Sequence, residues 1–164
     1  MNWILDSNIF ISAAQKYYGF DFCPGFWQWL LQHTDCIYSI DMVKAELAEK
    51  DDELSFWSKK QLPSDFFKSA DDKIMRCYKE VLEYVKNLPD PPFNKSKKDD
   101  FLNGTDPMLI AFAKMTGDVL VTNEKFNPDA HKKVYLPNVA NHFNVVFTDI
   151  FNVMSSLEAK LVLG

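Results

Sequence analysis

Three acidic residues stand where short apolar runs give way to a change of direction. Asp6 follows Trp3-Ile4-Leu5, Glu124 comes two residues after Val119-Leu120-Val121-Thr122, and Asp106 sits between Thr105 and Pro107 at the head of a helical pattern. A carboxylate in the first turn of a helix is favoured in its ionised form by the helix dipole. These acids are distant in sequence, yet all fall at element ends that an α/β fold can gather. Ionised carboxylates held close together repel, so such a cluster needs a cation or raised pKa values. Hard oxygen donors of this kind suit Mg²⁺ or Mn²⁺. The plainer alternatives are structural: Asp6 only ends a strand, Asp106 only opens a helix beside Thr105, and Glu124 is an exposed turn acid.

The elements that would position them follow from pattern. Trp3-Ile4-Leu5 predicts a buried first strand, after which Ser7 or Asn8 caps a helix. Residues 24–33, with Pro24 near the start, predict a second helix, and Cys36–Ile40 a second strand. Met42–Lys50 is helical, and residues 51–61 begin another helix after a break. In 69–88 an apolar face of Ile74, Cys77, Tyr78, Val81 and Val85 predicts the longest helix, with Ser69 as its cap and Pro89, Pro91 and Pro92 ending it. Residues 94–104 are polar and read as a loop, or at most one helical turn. Thr105 then caps a helix to Met115 that Gly117 closes. Val119–Thr122 is a β-branched strand, Val145-Val146-Phe147 another, and 148–160 a last helix. Strands alternating with helices imply parallel pairing through right-handed crossovers. The expectation is one domain over residues 1–164, an α/β fold in which a central, mainly parallel sheet lies in a three-layer α/β/α sandwich. Sites in such sheets form beyond the carboxyl ends of the strands, near the point where strand order reverses.

Composition bounds the function. With 164 residues and 47% hydrophobic content the chain can bury a core without disulfide staples. Its net charge of −5 argues against an indiscriminate nucleic-acid binder, which needs clustered Lys and Arg. It leaves a nuclease open, because a bound metal inverts the local sign. Cys23, Cys36 and Cys77 form no CxxC pair, so a zinc site or disulfide framework is not expected. The start lacks a basic leader and no apolar run approaches a membrane span; the expected setting is the cytoplasm, with reduced thiols and no membrane partner.

The opening ILDSNIFI resembles the strand-Asp-Ser/Thr-Asn signature of the PIN-domain family. The stretch TDPMLIAFAKMTGDVLVTNEKF resembles the second half of that family, and Val43-Lys44-Ala45-Glu46-Leu47 its helical second acid. The later VYLPNVANHFNV resembles a prokaryotic PIN-like branch placed among toxin–antitoxin proteins. The resemblance implies that Asp6, Glu46, Asp106 and Glu124 hold one or two divalent ions, Mg²⁺ or Mn²⁺, directly or through water. It implies an endoribonuclease that cleaves RNA phosphodiester bonds through metal-activated water, in keeping with the toxin of a type II toxin–antitoxin pair. Ser7, Asn8 and Thr122 would support the acids or orient substrate. The partners implied are RNA, a small antitoxin protein and a second copy in a homodimer. The chain departs from the family at its fourth acidic place, where Glu124 stands for the usual Asp.

Other readings stay open. The plainer alternative for Glu46 is a solvated helix residue like Glu49. Lys95, Lys97 and Lys98 precede Asp106 and are candidates for RNA phosphate contacts, or else solvated charges. Lys125, Lys132 and Lys133 are weaker candidates of the same kind. His33, His131 and His142 show no ligand spacing. Seven aromatics, Tyr17 to Trp29, fall within thirteen residues, more than a core readily absorbs, which points to a partner surface at some of Tyr17, Tyr18, Phe22 and Trp27. A non-catalytic PIN-like binding module is one competing function. A haloacid-dehalogenase-like phosphatase is another, but there the acid two places after the first Asp would be Asn8, a poor proton donor.

Overall fold

Trp3–Leu5 forms strand β1 of a computed structural model whose described residues are 1–163. The remaining strands are β2 (Ile37–Ile40), β3 (Phe67–Lys68), β4 (Val119–Val121) and β5 (Phe147–Thr148), in one five-stranded sheet of order β3-β2-β1-β4-β5. Every pairing is parallel, with Trp3 opposite both Ile37 and Val119 and Leu120 opposite Phe147. The central strands are short and apolar because both their faces are covered, as all-parallel sheets require. Strand order reverses between β1 and β4, so the switch point lies where Leu5 and Val121 end side by side. There the Asp6 amide donates to the Val121 carbonyl at 3.0 Å and the Thr122 amide to the Thr148 carbonyl at 2.9 Å.

The helices are α1 (Ser7–Ser12), continued by a π-helical turn (Ala13–Tyr17), α2 (Pro24–Gln32), α3 (Asp41–Ala48), α4 (Glu53–Gln61), α5 (Asp72–Lys86), α6 (Lys95–Leu102), α7 (Asp106–Thr116), α8 (Leu136–His142) and α9 (Ile150–Ser156). Contacts group α1, α3 and α4 in one set and α5 to α8 in another, which gives the expected three layers. Helix α7 is buried along most of its length, Leu109, Ile110 and Ala111 completely, so it is the internal strut that carries Asp106. Gly117 ends it at φ 77°, a left-handed conformation that glycine adopts without a Cβ penalty. No helix among the described residues is long and apolar enough to cross a membrane.

Several local expectations are corrected. The cap of α1 is Asp6 itself, not Ser7 or Asn8: its backbone is extended and its side chain accepts from the Asn8 amide. Asp71, not Ser69, caps α5, accepting from the Ile74 amide at 2.8 Å. The polar stretch read as a loop forms α6, capped by Asn94 and anchored by the buried Phe101. Strand β5 begins at Phe147, because the Val145 amide is used to close α8 against the Ala140 carbonyl and Val146 is exposed. Strand β3 and helix α8 were not expected.

Phe10 packs completely buried on the α1 side, edge-on to Phe66 at 6.2 Å and near Phe67 at 6.5 Å. It joins the first helix to the β3 edge of the sheet. Phe10→Ala is expected to lower unfolding free energy by about 3–5 kcal/mol, the range for deleting a buried Phe, with no change in denaturant slope. Urea titration followed by circular dichroism checks it.

Candidate active site

At the switch point the Asp6 carboxylate is enclosed, 2% exposed, and held by three donors. The Asn8 amide and the Ser7 hydroxyl each reach Oδ1 at 3.3 Å, and the Thr122 hydroxyl reaches Oδ2 at 3.0 Å. Thr122 in turn accepts from the Glu124 amide at 3.1 Å. One hydroxyl thus ties the end of β4 to the end of β1, fixing Asp6 and the turn that carries Glu124. Burial raises the Asp6 pKa from 3.8 to about 6; hydrogen bonds from Asn8, Thr122 and Ser7 pull it down, and the nearby charge of Glu124 pushes it up.

Asp106 opens α7 from below the same point. Its pKa is also raised well above 3.8, by burial first and then by the charges of Asp6, Glu124 and Glu46, against the opposing charge of Lys133. No hydrogen bond enters that balance, so what favours the Asp106 charge is the charge of Lys133 and the dipole of α7. Thr105 occupies the cap position before it without a side-chain capping bond. Glu46, on α3, stands at intermediate exposure beside a cleft of 410 Å³ lined by Ser7, Asn8, Glu46, Gly104, Thr105 and Asp106 among others.

Glu124 is differently placed. Its Oε1 accepts from the Lys133 ammonium at 2.7 Å and its Oε2 from the Leu136 amide, the first of α8, at 2.9 Å. Its charge is felt at Asp6 and Asp106, but both its oxygens are engaged. Where an Asp would point its carboxylate at the cluster, the longer arm reaches the start of α8. Among the described residues no group of three His, Cys, Asp or Glu side chains stands close enough to enclose an ion. The four acids therefore form an inner pair, Asp6 and Asp106, with Glu46 across a cleft and Glu124 turned aside.

That inner pair fits a hard divalent cation. It offers oxygen donors only, Asp6 is buried and Asp106 half-buried, and each charge raises the cost of the other, a cost that an ion between them would remove. Mg²⁺ in particular is held by one or two carboxylates and keeps several waters. Glu46 could join from the cleft side.

The remaining candidates separate clearly. Ser7 and Thr122 touch Asp6 directly, whereas Asn8 does so through its backbone and exposes its side chain toward the cleft. Lys95 pairs with Asp99, Lys97 donates to the Pro92 and His131 carbonyls, and Lys98 to the Lys86 carbonyl. Their ammonium groups bind the chain itself, so as they stand they do not form a free basic track. Lys133 is the lysine that matters to the cluster, and sequence reasoning ranked it low. Eight residues of irregular loop, 125–132, separate it from Glu124, and no periodicity links the two. Burial disfavours its charge, but the Glu124 hydrogen bond and the charges of Glu124 and Asp106 outweigh this and raise its pKa. In the aromatic stretch Phe26, Trp27 and Trp29 are buried, Tyr18 is intermediate, and Tyr17 and Phe22 are 52% and 72% exposed.

A family model described as a domain of unknown function, DUF4411, matches residues 3–161, nearly the whole chain. The chain belongs to the DUF4411 family. No curated protein matches it in sequence. In fold it is similar to the crystal structure of VapBC2 from Rickettsia felis bound to a DNA fragment from their promoter, with a TM-score of 0.52 and 13% identity over 91% of this chain and 98% of that one. This likeness shows a PIN-like three-layer sandwich for this DUF4411 chain, as its opening and closing motifs suggested.

Proposed function

We propose that this DUF4411 chain is a divalent-metal-dependent endoribonuclease. The observation that carries the reading is the pair of carboxylates, buried Asp6 and half-buried Asp106, set at the strand-order switch with no nearby cation other than Lys133. Mg²⁺ or Mn²⁺ held there would lower the pKa of an attacking water and offset charge building on a phosphodiester. The chain's own part is positional. Thr122, Ser7 and the Asn8 amide fix the Asp6 carboxylate against rotation, and the rigid α7 presents Asp106 from its first turn. The cleft lined by Asn8, Glu46, Gly104 and Asp106 is where a strand of RNA would approach, with Asp6 enclosed behind Ser7 and Asn8.

The fold likeness to VapBC2, a toxin–antitoxin structure, supports placing this chain as the toxin of such a pair, with a small antitoxin as partner. The exposed Tyr17 and Phe22 would give that partner aromatic anchors. A second copy in a homodimer is compatible with the same surface.

Purified protein incubated with a mixed RNA pool and millimolar Mn²⁺ is expected to shorten the RNA, and EDTA to abolish the effect. Phosphate released from a small phosphomonoester, with the RNA left intact, would instead establish a phosphatase. Intact RNA and no phosphate release, at every metal concentration, would leave a binding module.

A further inference from the structure

The Lys133–Glu124 contact joins the Asp6 network through two further bonds. Lys133 Nζ lies 2.7 Å from Glu124 Oε1; the Glu124 amide donates to Thr122 Oγ1 at 3.1 Å; that hydroxyl donates to Asp6 Oδ2 at 3.0 Å. The ammonium also lies over the Tyr135 ring, 4.9 Å from its centroid, which holds it from the other side. The Leu136 amide occupies the second Glu124 oxygen. Glu124 is thus paired with a cation before any ion arrives. Asp6 is held only by neutral donors, and neither it nor Asp106 makes an ion pair.

We propose that the chain takes up one divalent ion, on the Asp6 and Asp106 side, and that the Lys133 ammonium neutralises Glu124 in place of a second. This rests on reading the site as a metal-dependent nuclease centre. A tethered ammonium is a fixed single charge with no ligand shell to complete, so it balances one carboxylate without recruiting another. Removing it leaves Glu124 with a free oxygen and an uncompensated charge beside Asp106, which is a donor pair for a second ion.

The experiment is calorimetric titration of the EDTA-stripped full chain with MnCl₂, with electron paramagnetic resonance of the bound Mn²⁺ as a second readout. The wild type is expected to bind one ion per chain and to show the spectrum of an isolated Mn²⁺. Lys133→Arg, which keeps the charge, also binds one. Lys133→Met binds two, with a spectrum broadened by coupling between neighbouring ions, and Lys133→Met combined with Glu124→Gln returns to one. Two ions in the wild type, or one in Lys133→Met, overturns the proposal while leaving the nuclease reading in place. Absence of Mn²⁺ binding by the wild type removes both. Should Lys133→Met fail to fold, the wild-type and Lys133→Arg stoichiometries decide.

Discussion

Asp6→Asn is expected to reduce RNA cleavage by roughly 10²–10³-fold while leaving the fold intact, the scale seen when one preorganised electrostatic contact is removed from a catalytic site. The substitution is a clean one because of what Asp6 does locally. As the cap of α1 it accepts from the Asn8 amide, and Asn is as good a cap as Asp. Its amide group can still meet the Thr122 hydroxyl. Asp6→Ala would remove the cap as well, at about 1 kcal/mol, and would mix a structural loss with a chemical one. Asp106→Asn should behave as Asp6→Asn does. Initial rates on a labelled RNA, measured at limiting Mn²⁺, decide the matter: cleavage by Asp6→Asn at the wild-type rate removes Asp6 from the reaction.

The second large effect is on stability and runs against the usual trend for carboxylates. The folded-state pKa of Asp6 is raised to about 6 from an ordinary 3.8, so between these values the native state holds a proton that the unfolded chain has released. The group costs nothing below about pH 4. Its penalty grows as pH rises through the window and is complete above pH 6, at on the order of 3 kcal/mol. Asp106, raised in the same direction, adds to it. The quantity to measure is the difference between variants at each pH. In EDTA, Asp6→Asn and Asp106→Asn should melt with the wild type at pH 4 and several degrees above it at pH 7. Millimolar Mn²⁺ at pH 7 should raise the wild type and move the variants less, since a ligand of the native state stabilises by mass action. If both variants melt below the wild type in EDTA at pH 7, and Mn²⁺ moves none of the three, the acids are structural hydrogen-bonding groups. A binding module then becomes the better reading.

What the sequence could disclose divides along a physical line. Strands β1, β2 and β4 and helix α7 are dense in buried side chains, so their apolar runs announced them and placed Asp6 and Asp106 at their ends. Strand β3 has two residues, one of them an exposed lysine, and no pattern can declare it. Helix α6 is mostly polar because one residue, Phe101, anchors it; its stability comes from the Asn94 cap and neighbours distant in sequence. At the site, residue types and spacing marked Asp6, Asp106 and Glu124 as acids at element ends, and the fold sets Asp6 and Asp106 near one another. They did not disclose where the Glu124 side chain goes, because that is settled by Lys133 and Leu136, whose nearness is a property of the folded loop.

Asp6 capping α1 makes one backbone amide a witness to the whole site. The Asn8 N–H points at Asp6 Oδ1 and no other carboxylate oxygen. Its proton frequency in a heteronuclear NMR spectrum should therefore follow the charge of that single group, moving as Asp6 titrates near pH 6 and again as Mg²⁺ is added at constant pH. An observer watching this one resonance could follow ion occupancy and acid ionisation separately, in the absence of RNA and of any turnover.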